Sequence, residues 1–441
     1  MTGNPMRFRS TRGSQQRLGF SEALWRGLAE DGGLYVPETW PLFSVSDFDG
    51  AESLAEVGER LLAPFVEGDP LATQIGAIVR EAFNFSAPLR QVRGTADDEI
   101  LTALELSNGP TAAFKDFGAR FLAACFQRIR KPDAAPVNIL VATSGDTGGA
   151  VAAAFHGRSG MAVTVLFPKG LVSPTQQHQL TCWGDNVRAF AVRGTFDECQ
   201  RLVKEAFGDA ALRQHQQLSS ANSINLGRLL PQAVYYAATS LAWYRKRGRP
   251  LSFIIPSGNL GNAVACLWAR QLGLPIGHVV LAHNANRTVP DFLSQGEWLP
   301  RASIATLASA MDVGNPSNME RMRDLFPDHV RLCDVVSAIS VEDSAIRYRI
   351  REDRARFGEV WCPHTAVAAE VWATMSAERR RAEAWCLVST ASPAKFPEVV
   401  EPLIEGRVSV PETLARLFDR PSVFEEIDAS LEMLKVGLKS R

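Results

Sequence analysis

A single lysine stands between small and aromatic side chains in the segment GPTAAFKDFG, residues 109–118, just before a long amphipathic stretch. An amine flanked by apolar side chains is poorly hydrated when charged, so we expect the pKa of Lys115 to fall toward neutrality. A neutral amine attacks aldehydes, and the segment is therefore suited to a Schiff base with pyridoxal phosphate. The same segment also fits a surface lysine near a helix start whose neighbours only pack the core.

A glycine-rich turn, residues 256–262, connects a short apolar segment at 251–255 to a helical pattern at 263–272. In such a strand–turn–helix unit, glycines let backbone N–H groups approach an anion closely, and the helix N-terminus adds the positive end of its dipole. We therefore predict a phosphate site here, although tight connections also use glycine for backbone reasons alone. The predicted phosphate-binding residues are Ser257, Gly258, Asn259, Leu260, Gly261 and Asn262.

A second turn, residues 143–149, follows the apolar segment 137–141 and leads into a helix predicted to begin at about Ala150. Hydroxyl-rich turns at helix starts also bind anions, and the carboxylate of an amino-acid substrate is a suitable one. An ordinary helix N-cap explains the same residue types equally well. The predicted substrate-binding residues of this turn are Ser144, Gly145, Asp146 and Thr147.

Taken together, these segments resemble the threonine synthase family, within the pyridoxal-phosphate enzymes of the tryptophan-synthase-β fold type. The resemblance extends over nearly the whole chain, and the order of its motifs is more specific than any one of them. The matching segments are residues 10–13, 32–37, 109–118, 143–148, 220–225, 256–262, 310–318 and 393–396.

The resemblance implies roles for individual residues. Lys115 would carry the cofactor beside Phe114, residues 258–262 would hold its phosphate, and Thr390 would face the pyridine nitrogen. A hydroxyl does not force that nitrogen to stay protonated, so the ring would be a weaker electron sink. From the residues alone, Thr390 reads as a strand-end hydroxyl bonded to backbone.

The implied reaction is conversion of O-phospho-L-homoserine and water into L-threonine and phosphate. Lys115 would remove protons at Cα and Cβ, phosphate would leave from Cγ, and water would add to Cβ. Because two phosphate dianions repel each other, the substrate phosphate needs its own cationic site. The candidate cations, each of which also reads as a solvated surface charge, are Lys169, Arg228 and Lys395. Asn108 and Asn225 complete the predicted substrate site.

Three positions depart from the family pattern. Asn108 and Ser392 stand where histidine is common, and His178 stands where lysine is usual. An amide or hydroxyl hydrogen-bonds but does not shuttle protons near neutral pH, so proton transfer or substrate choice can differ. The alternative is therefore a related pyridoxal-phosphate enzyme that performs elimination or replacement on another β- or γ-substituted amino acid. A non-catalytic ligand-binding relative is a third reading, against which the presence of Lys115 argues.

Composition favours a large cytoplasmic enzyme. The 441 residues are 46% hydrophobic, and 47 basic against 48 acidic residues leave a net charge of −1, which attracts neither nucleic acid nor a membrane surface. The seven cysteines are scattered without a CxxC pair, which is typical of reduced thiols, and no spacing indicates a metal site. No apolar run approaches the roughly 18 residues that cross a bilayer. The expected partner is a small amino-acid substrate, and the expected state is a monomer or small homo-oligomer.

Alternating apolar strands and helical patterns predict an α/β fold. We expect two lobes of twisted, mainly parallel sheet covered by helices, with the cofactor in the cleft between them. The predicted regions are an N-terminal cap at 1–90, a first lobe at 91–245 with Lys115, and a second lobe at 246–441 with the phosphate turn. Within the cap, helical periodicity covers residues 52–65 and 74–83.

Overall fold

Apolar strand segments form the centre of the computed structural model, which describes residues 5–96, 98–131, 133–143, 145–215 and 217–439. The strands in these ranges, in chain order, are β1 Phe8–Ser10, β2 Tyr35–Pro37, β3 Leu89–Gln91, β4 Ile100–Glu105, β5 Val137–Ala142, β6 Met161–Pro168, β7 Val187–Arg193, β8 Gln217–Ser220, β9 Leu251–Pro256, β10 Ile276–His283, β11 Val336–Ser340, β12 Ala384–Ser389 and β13 Glu425–Asp428.

The helices connect and cover these strands. In chain order they are α1 Phe20–Arg26, α2 Leu54–Leu62, α3 Ile75–Ala82, α4 Lys115–Ile129, α5 Asp146–Phe155, α6 Pro174–Thr181, α7 Phe196–Gly208, α8 Ala210–His215, α9 Leu226–Leu229, α10 Ala233–Arg247, α11 Gly261–Gln271, α12 Thr288–Gln295, α13 Met319–Leu325, α14 His329–Val335, α15 Asp343–Phe357, α16 Pro363–Thr374, α17 Ala377–Ala382, α18 Pro397–Ile404, α19 Glu412–Phe418 and α20 Leu431–Lys439. None of these helices in the described ranges is long and apolar enough to cross a membrane.

Two sheets organise the chain. The larger has the strand order β11-β10-β9-β12-β4-β3 and is parallel except for its edge pair β3–β4. The smaller has the order β13-β7-β6-β5-β8 and is parallel throughout. The predicted α/β fold with mainly parallel sheets is confirmed.

Both sheets are buried on both faces, which explains the continuous apolar runs of their strands. In β9, Phe253 and Ile255 pack into one core with residues of α10 and α11, whereas Ile254 faces the other core, formed with α15 and α16. The smaller sheet alternates in the same way: Ile139 of β5 packs toward α4 and α5, and Leu140 packs toward α7. The strand period of two therefore distributes side chains between two helical layers.

Sheet membership does not follow a single cut at residue 245. Strands β3 and β4 precede the smaller sheet in sequence but belong to the larger one, where β4 pairs with β12, and β13 returns to pair with β7 of the smaller sheet. A parallel strand needs a long crossover, so the chain begins the larger sheet, builds the smaller one and then comes back. The short strand β13 thereby becomes the edge of the smaller sheet in place of β7. The boundaries at 90 and 245 themselves stay a prediction.

The N-terminal region contains both helices that periodicity predicted there, each shorter than the pattern. Helix α2 begins after Ser53, whose side chain accepts from the amide of Glu56 while Glu56 accepts from the amide of Ser53. This reciprocal capping fixes the helix start. The helix ends at Leu62, and the chain continues as a 3₁₀ turn that contains Pro64. Proline removes a backbone donor, which accounts for the early end.

Two helix glycines provide a matched test of this packing. A Cβ at Gly118 in α4 would lie 2.4 Å from the carbonyl oxygen of Arg228, whereas a Cβ at Gly149 in α5 would lie 3.5 Å from the nearest atom, in Gln179. We expect Gly118→Ala to lower the free energy of unfolding by about 1–3 kcal/mol through overpacking. Gly149→Ala should raise it by about 0.5–1 kcal/mol through helix propensity. Denaturant unfolding followed by circular dichroism measures both, and equal effects would contradict the packing.

Candidate active site

The loop before Lys115 is fastened to the segment that follows β12. The amide of Phe114 donates to the carbonyl of Thr390 at 2.8 Å, and the amide of Ser392 donates to the carbonyl of Ala112 at 3.0 Å. Ala112 adopts a left-handed conformation, with φ of +53°, which is strained for a residue with a side chain. Lys115 is the first residue of α4, and its Nζ lies 5.8 Å from the centre of the Phe114 ring. The fold thus brings Lys115, Phe114 and Thr390 together.

The amine of Lys115 has the electrostatic character that its sequence predicts. Burial lowers its pKa to about 8; Asp146 opposes this shift, while Arg228 and Lys395 add to it. A substantial fraction of the amine is therefore neutral near physiological pH. These interactions also show that Asp146, Arg228 and Lys395 lie within electrostatic range of the amine.

A buried ion pair lies beside Lys115. The Nζ of Lys395 lies 2.8 Å from Oδ1 of Asp146 and donates to the carbonyl of Thr111 at 2.8 Å. Gln176 also donates to Asp146, at 3.2 Å. Burial by itself raises the pKa of Asp146, but the charges of Lys395, Lys115 and His364 outweigh it and hold that pKa well below the usual value. Asp146 is therefore ionised, and Lys395 supplies its nearest counter-charge.

The turn after β9 presents a row of free backbone donors. Among the described residues, no protein group accepts from the amides of residues 258–263, and the first helical bond runs from Val264 to Leu260. Gly258 is required here, because a Cβ would lie 2.7 Å from Cα of Met311. Leu260 adopts a left-handed conformation with φ of +61° immediately before α11. Free amides at a helix N-terminus form an anion site.

The polar side chains of this turn have other partners. Ser257 donates to the carbonyl of Ile255 at 2.8 Å, and Asn259 donates to the hydroxyl of Ser223 at 2.5 Å. Oδ1 of Asn262 accepts from two tyrosine hydroxyls, whereas its buried Nδ2 has no partner among the described residues. The donors available to an anion are therefore mainly the backbone amides, together with Nδ2 of Asn262.

The second predicted turn differs in where its helix begins. Helix α5 begins at Asp146, not at about Ala150, so Asp146 and Thr147 belong to its first turn. The hydroxyl of Thr143 replaces a backbone acceptor, because it accepts from the amides of Gly145 at 3.0 Å and Gly148 at 2.9 Å. The amides of Asp146 and Thr147 have no acceptor in the described part of the chain. Ser144 lies outside the described residues.

Comparison with known proteins identifies the family. Residues 84–390 match the model for pyridoxal-phosphate dependent enzymes, residues 7–83 that for the threonine synthase N terminus, and residues 365–436 that for the threonine synthase C-terminal region. The threonine synthase of Haemophilus influenzae is 38% identical over 425 residues, which cover 96% of this chain and 97% of that protein. The chain belongs to the threonine synthase family.

Solved structures agree with this membership of the threonine synthase family. The crystal structure of threonine synthase from Escherichia coli has a TM-score of 0.89 and 35% identity and covers 99% of this chain and 100% of that one. The pyridoxal-phosphate-bound threonine synthase from Brucella melitensis has a TM-score of 0.88 and 33% identity, with 98% of each chain covered. The cofactor of this family member is pyridoxal phosphate.

The residues present fit that cofactor. The amine of Lys115 has a lowered pKa, which suits attack on the aldehyde, and the free amides of residues 258–263 suit the phosphate. Thr390 is 4% exposed, and within the described residues its hydroxyl has no protein partner. The amine of Lys115 therefore suits the aldehyde, the free amides suit the phosphate, and the hydroxyl of Thr390 suits the ring nitrogen.

Of the remaining predicted substrate-binding residues of this threonine synthase family member, two are buried and two are exposed. Arg228 is buried, and burial lowers its pKa to about 10, with Asp116 opposing the shift. Lys169 is half-exposed and pairs with Glu426 at 2.7 Å. Asn108 is exposed and donates to Ser86. Asn225 is buried, and its amide binds two carbonyls and caps α9, so it has a structural role.

Sequence reasoning missed His364, the second residue of α16. Its Nε2 accepts from the amide of Ala310 at 3.1 Å, so the proton of the neutral ring resides on Nδ1. Burial lowers its pKa to about 4; Asp146 opposes this shift, and Lys115 and Lys395 add to it. The imidazole is therefore neutral at physiological pH, beside the charged cluster. The only sequence signal was a histidine directly after the helix-starting Pro363.

The charge cluster predicts how the reactivity of Lys115 depends on Lys395. In Lys395→Met, Asp146 loses its partner and Lys115 loses a repelling cation, so the pKa of Lys115 should rise above about 8. An amine with a higher pKa is less reactive at a given pH. The rate of pyridoxal phosphate attachment to cofactor-free protein, followed by absorbance across pH, should therefore shift to higher pH. Lys169→Met is the control, and an unchanged or lower midpoint in Lys395→Met would contradict the arrangement.

Proposed function

We propose that this protein converts O-phospho-L-homoserine and water into L-threonine and phosphate. The observation that carries the proposal is the lysine of lowered pKa, which follows Phe114 at its hydrogen bond to Thr390, in a chain that matches threonine synthases over nearly its full length. The two groups of free amides and the buried cations supply separate positions for the anionic parts of cofactor and substrate.

Pyridoxal phosphate, when bound, withdraws electrons from Cα of an amino-acid substrate and makes protons at Cα and Cβ removable. Lys115 is the base that takes these protons at Nζ, in turn, and phosphate leaves from Cγ. Lys115 then returns one proton to Cγ, water adds to Cβ, and a proton returns to Cα. An amine with a pKa of about 8 suits this exchange, because it gives and accepts protons near neutral pH.

The substrate carboxylate binds at the N-terminus of α5, where the amides of Asp146 and Thr147 are free. The anionic side chain of Asp146 would repel a carboxylate there. Lys395 offsets that repulsion, since its ammonium lies 2.8 Å from Asp146. The predicted contact from Ser144 belongs to the same turn and stays a prediction.

The substrate phosphate binds between Arg228 and Lys395. Both are buried, and both act on the pKa of Lys115, so they lie close to the reacting amine. The Nε of Arg228 is buried without a protein partner among the described residues, and an anion would satisfy it. Lys169 is less suited, because its side chain is half-exposed and it is not among the charges that shift the pKa of Lys115.

Turnover of O-phospho-L-homoserine by purified protein tests the proposal. We expect phosphate and threonine in equal amounts, and Lys115→Ala should lower kcat by at least about a hundredfold because the base is lost. Lys115→Arg is the matched control: it keeps a positive charge but not a neutral amine, and it should be equally inactive. Release of phosphate without threonine would support the alternative elimination enzyme, and full activity of Lys115→Ala would exclude the proposed base.

The substrate phosphate site has its own test. Arg228→Gln should raise KM for O-phospho-L-homoserine by about tenfold or more, because charge-assisted hydrogen bonds to the phosphate are lost. Lys169→Gln should leave KM unchanged. Steady-state kinetics with both variants measures the difference, and the reverse pattern would assign the phosphate to Lys169.

A further inference from the structure

A fully buried arginine lies behind the phosphate turn without an acidic partner. Arg321 in α13 is 0% exposed, and in the described part of the chain it forms no ion pair. Its guanidinium donates only to neutral oxygens, which are the carbonyls of Tyr35, Ser223 and Ile224 and Oδ1 of Asn318. Burial lowers its pKa to about 9, so it is still charged at neutral pH.

The acids nearest in sequence to Arg321 are bound to other arginines. Glu320 pairs with Arg12 at 2.5 Å, and Asp324 pairs with Arg9 at 2.6 Å. A buried charge is costly unless an opposite charge compensates it. Neutral oxygens solvate the guanidinium but do not neutralise it. Glu320 and Asp324 raise the pKa of Arg321 electrostatically, but both form their ion pairs with other arginines, so the positive charge at this place has no direct counter-charge among the described residues.

Hydrogen bonds connect this charge to the phosphate turn. Arg321 donates to Oδ1 of Asn318 at 2.8 Å, and Nδ2 of Asn318 donates to the carbonyl of Asn259 at 3.0 Å. That carbonyl belongs to the peptide group whose N–H is the amide of Leu260, one of the free amides of the turn. The two groups point in opposite directions across a trans peptide. Donation to the carbonyl therefore polarises this free N–H and strengthens it as a donor to an anion.

We propose that Arg321 is the counter-charge of the cofactor phosphate and acts through Asn318 and the peptide between Asn259 and Leu260. Arg321 is a positioning and electrostatic residue in this account, since Asn318 stands between it and the turn. The proposal rests on the cofactor and not on the identity of the amino-acid substrate.

A purely structural role makes a different prediction. Because Arg321 binds the carbonyl of Tyr35, it also fastens the N-terminal region to α13. Loss of that fastening would weaken every ligand of the site alike. Loss of a counter-charge would weaken only ligands that carry the phosphate. Pyridoxal, which lacks the phosphate, separates the two.

The experiment compares dissociation constants of pyridoxal phosphate and pyridoxal for the full chain. All variants carry Lys115→Ala, so that no covalent bond masks the phosphate contribution. We expect Arg321→Met to weaken pyridoxal phosphate by at least about tenfold and pyridoxal by less than about twofold, as loss of a nearby charge at intermediate dielectric implies. Arg321→Lys should keep most of the preference for the phosphorylated ligand.

Two further variants keep the test decisive. Arg349 is also buried but pairs with Asp353 at 3.0 Å and Glu370 at 2.8 Å, so Arg349→Met should leave the ratio of the two dissociation constants unchanged. If Arg321→Met does not fold, Asn318→Asp takes its place, because a carboxylate there neutralises Arg321 and breaks the donation to Asn259. Equal weakening of both ligands, or an unchanged ratio, would overturn the proposal. Substrate turnover does not enter this test, so its outcome is independent of the proposed reaction.

Discussion

Desolvation of one amine is the constraint on which this site depends. Burial is the largest cause that lowers the pKa of Lys115 to about 8; Asp146 opposes this shift, while Arg228 and Lys395 add to it. Without Lys395, the unpaired Asp146 would raise the pKa of Lys115 and so increase the protonated fraction of the amine at neutral pH. Because Lys395 neutralises Asp146, this carboxylate lies beside Lys115 without keeping its amine protonated.

The fold that creates this environment could be predicted where its signal is local. Continuous apolar runs correctly indicated β5 and β9, because strands buried on both faces need no polar positions. The start of α5 was placed too late, since Ser, Asp and Thr are as typical of a cap as of a first turn. The return of β13 to the smaller sheet depends on contacts between distant segments, which periodicity does not record.

The residues of the site could likewise be predicted from local motifs, but their contacts with residues distant in sequence could not. Lys115, Thr390 and the turn at 258–262 carried recognisable motifs, whereas the pairing of Asp146 with Lys395 joins residues far apart in sequence. The departures from the family pattern have protein partners: Asn108 binds Ser86, His178 binds the carbonyl of Leu417, and Ser392 caps the 3₁₀ turn Pro393–Lys395. Ser392 therefore helps to orient Lys395, and the neutral His364 is the imidazole that the structure places beside the charges.

The central claim is that the aldehyde of the cofactor is attached to Nζ of Lys115. Mass spectrometry of peptides from borohydride-reduced protein tests it directly, because reduction makes the link permanent at whichever amine holds the cofactor. We expect one pyridoxyl-modified peptide, containing residues 109–118, with the added mass on Lys115. A modification on Lys395 or any other lysine, or no modified peptide from protein that retains its cofactor absorbance, would contradict it.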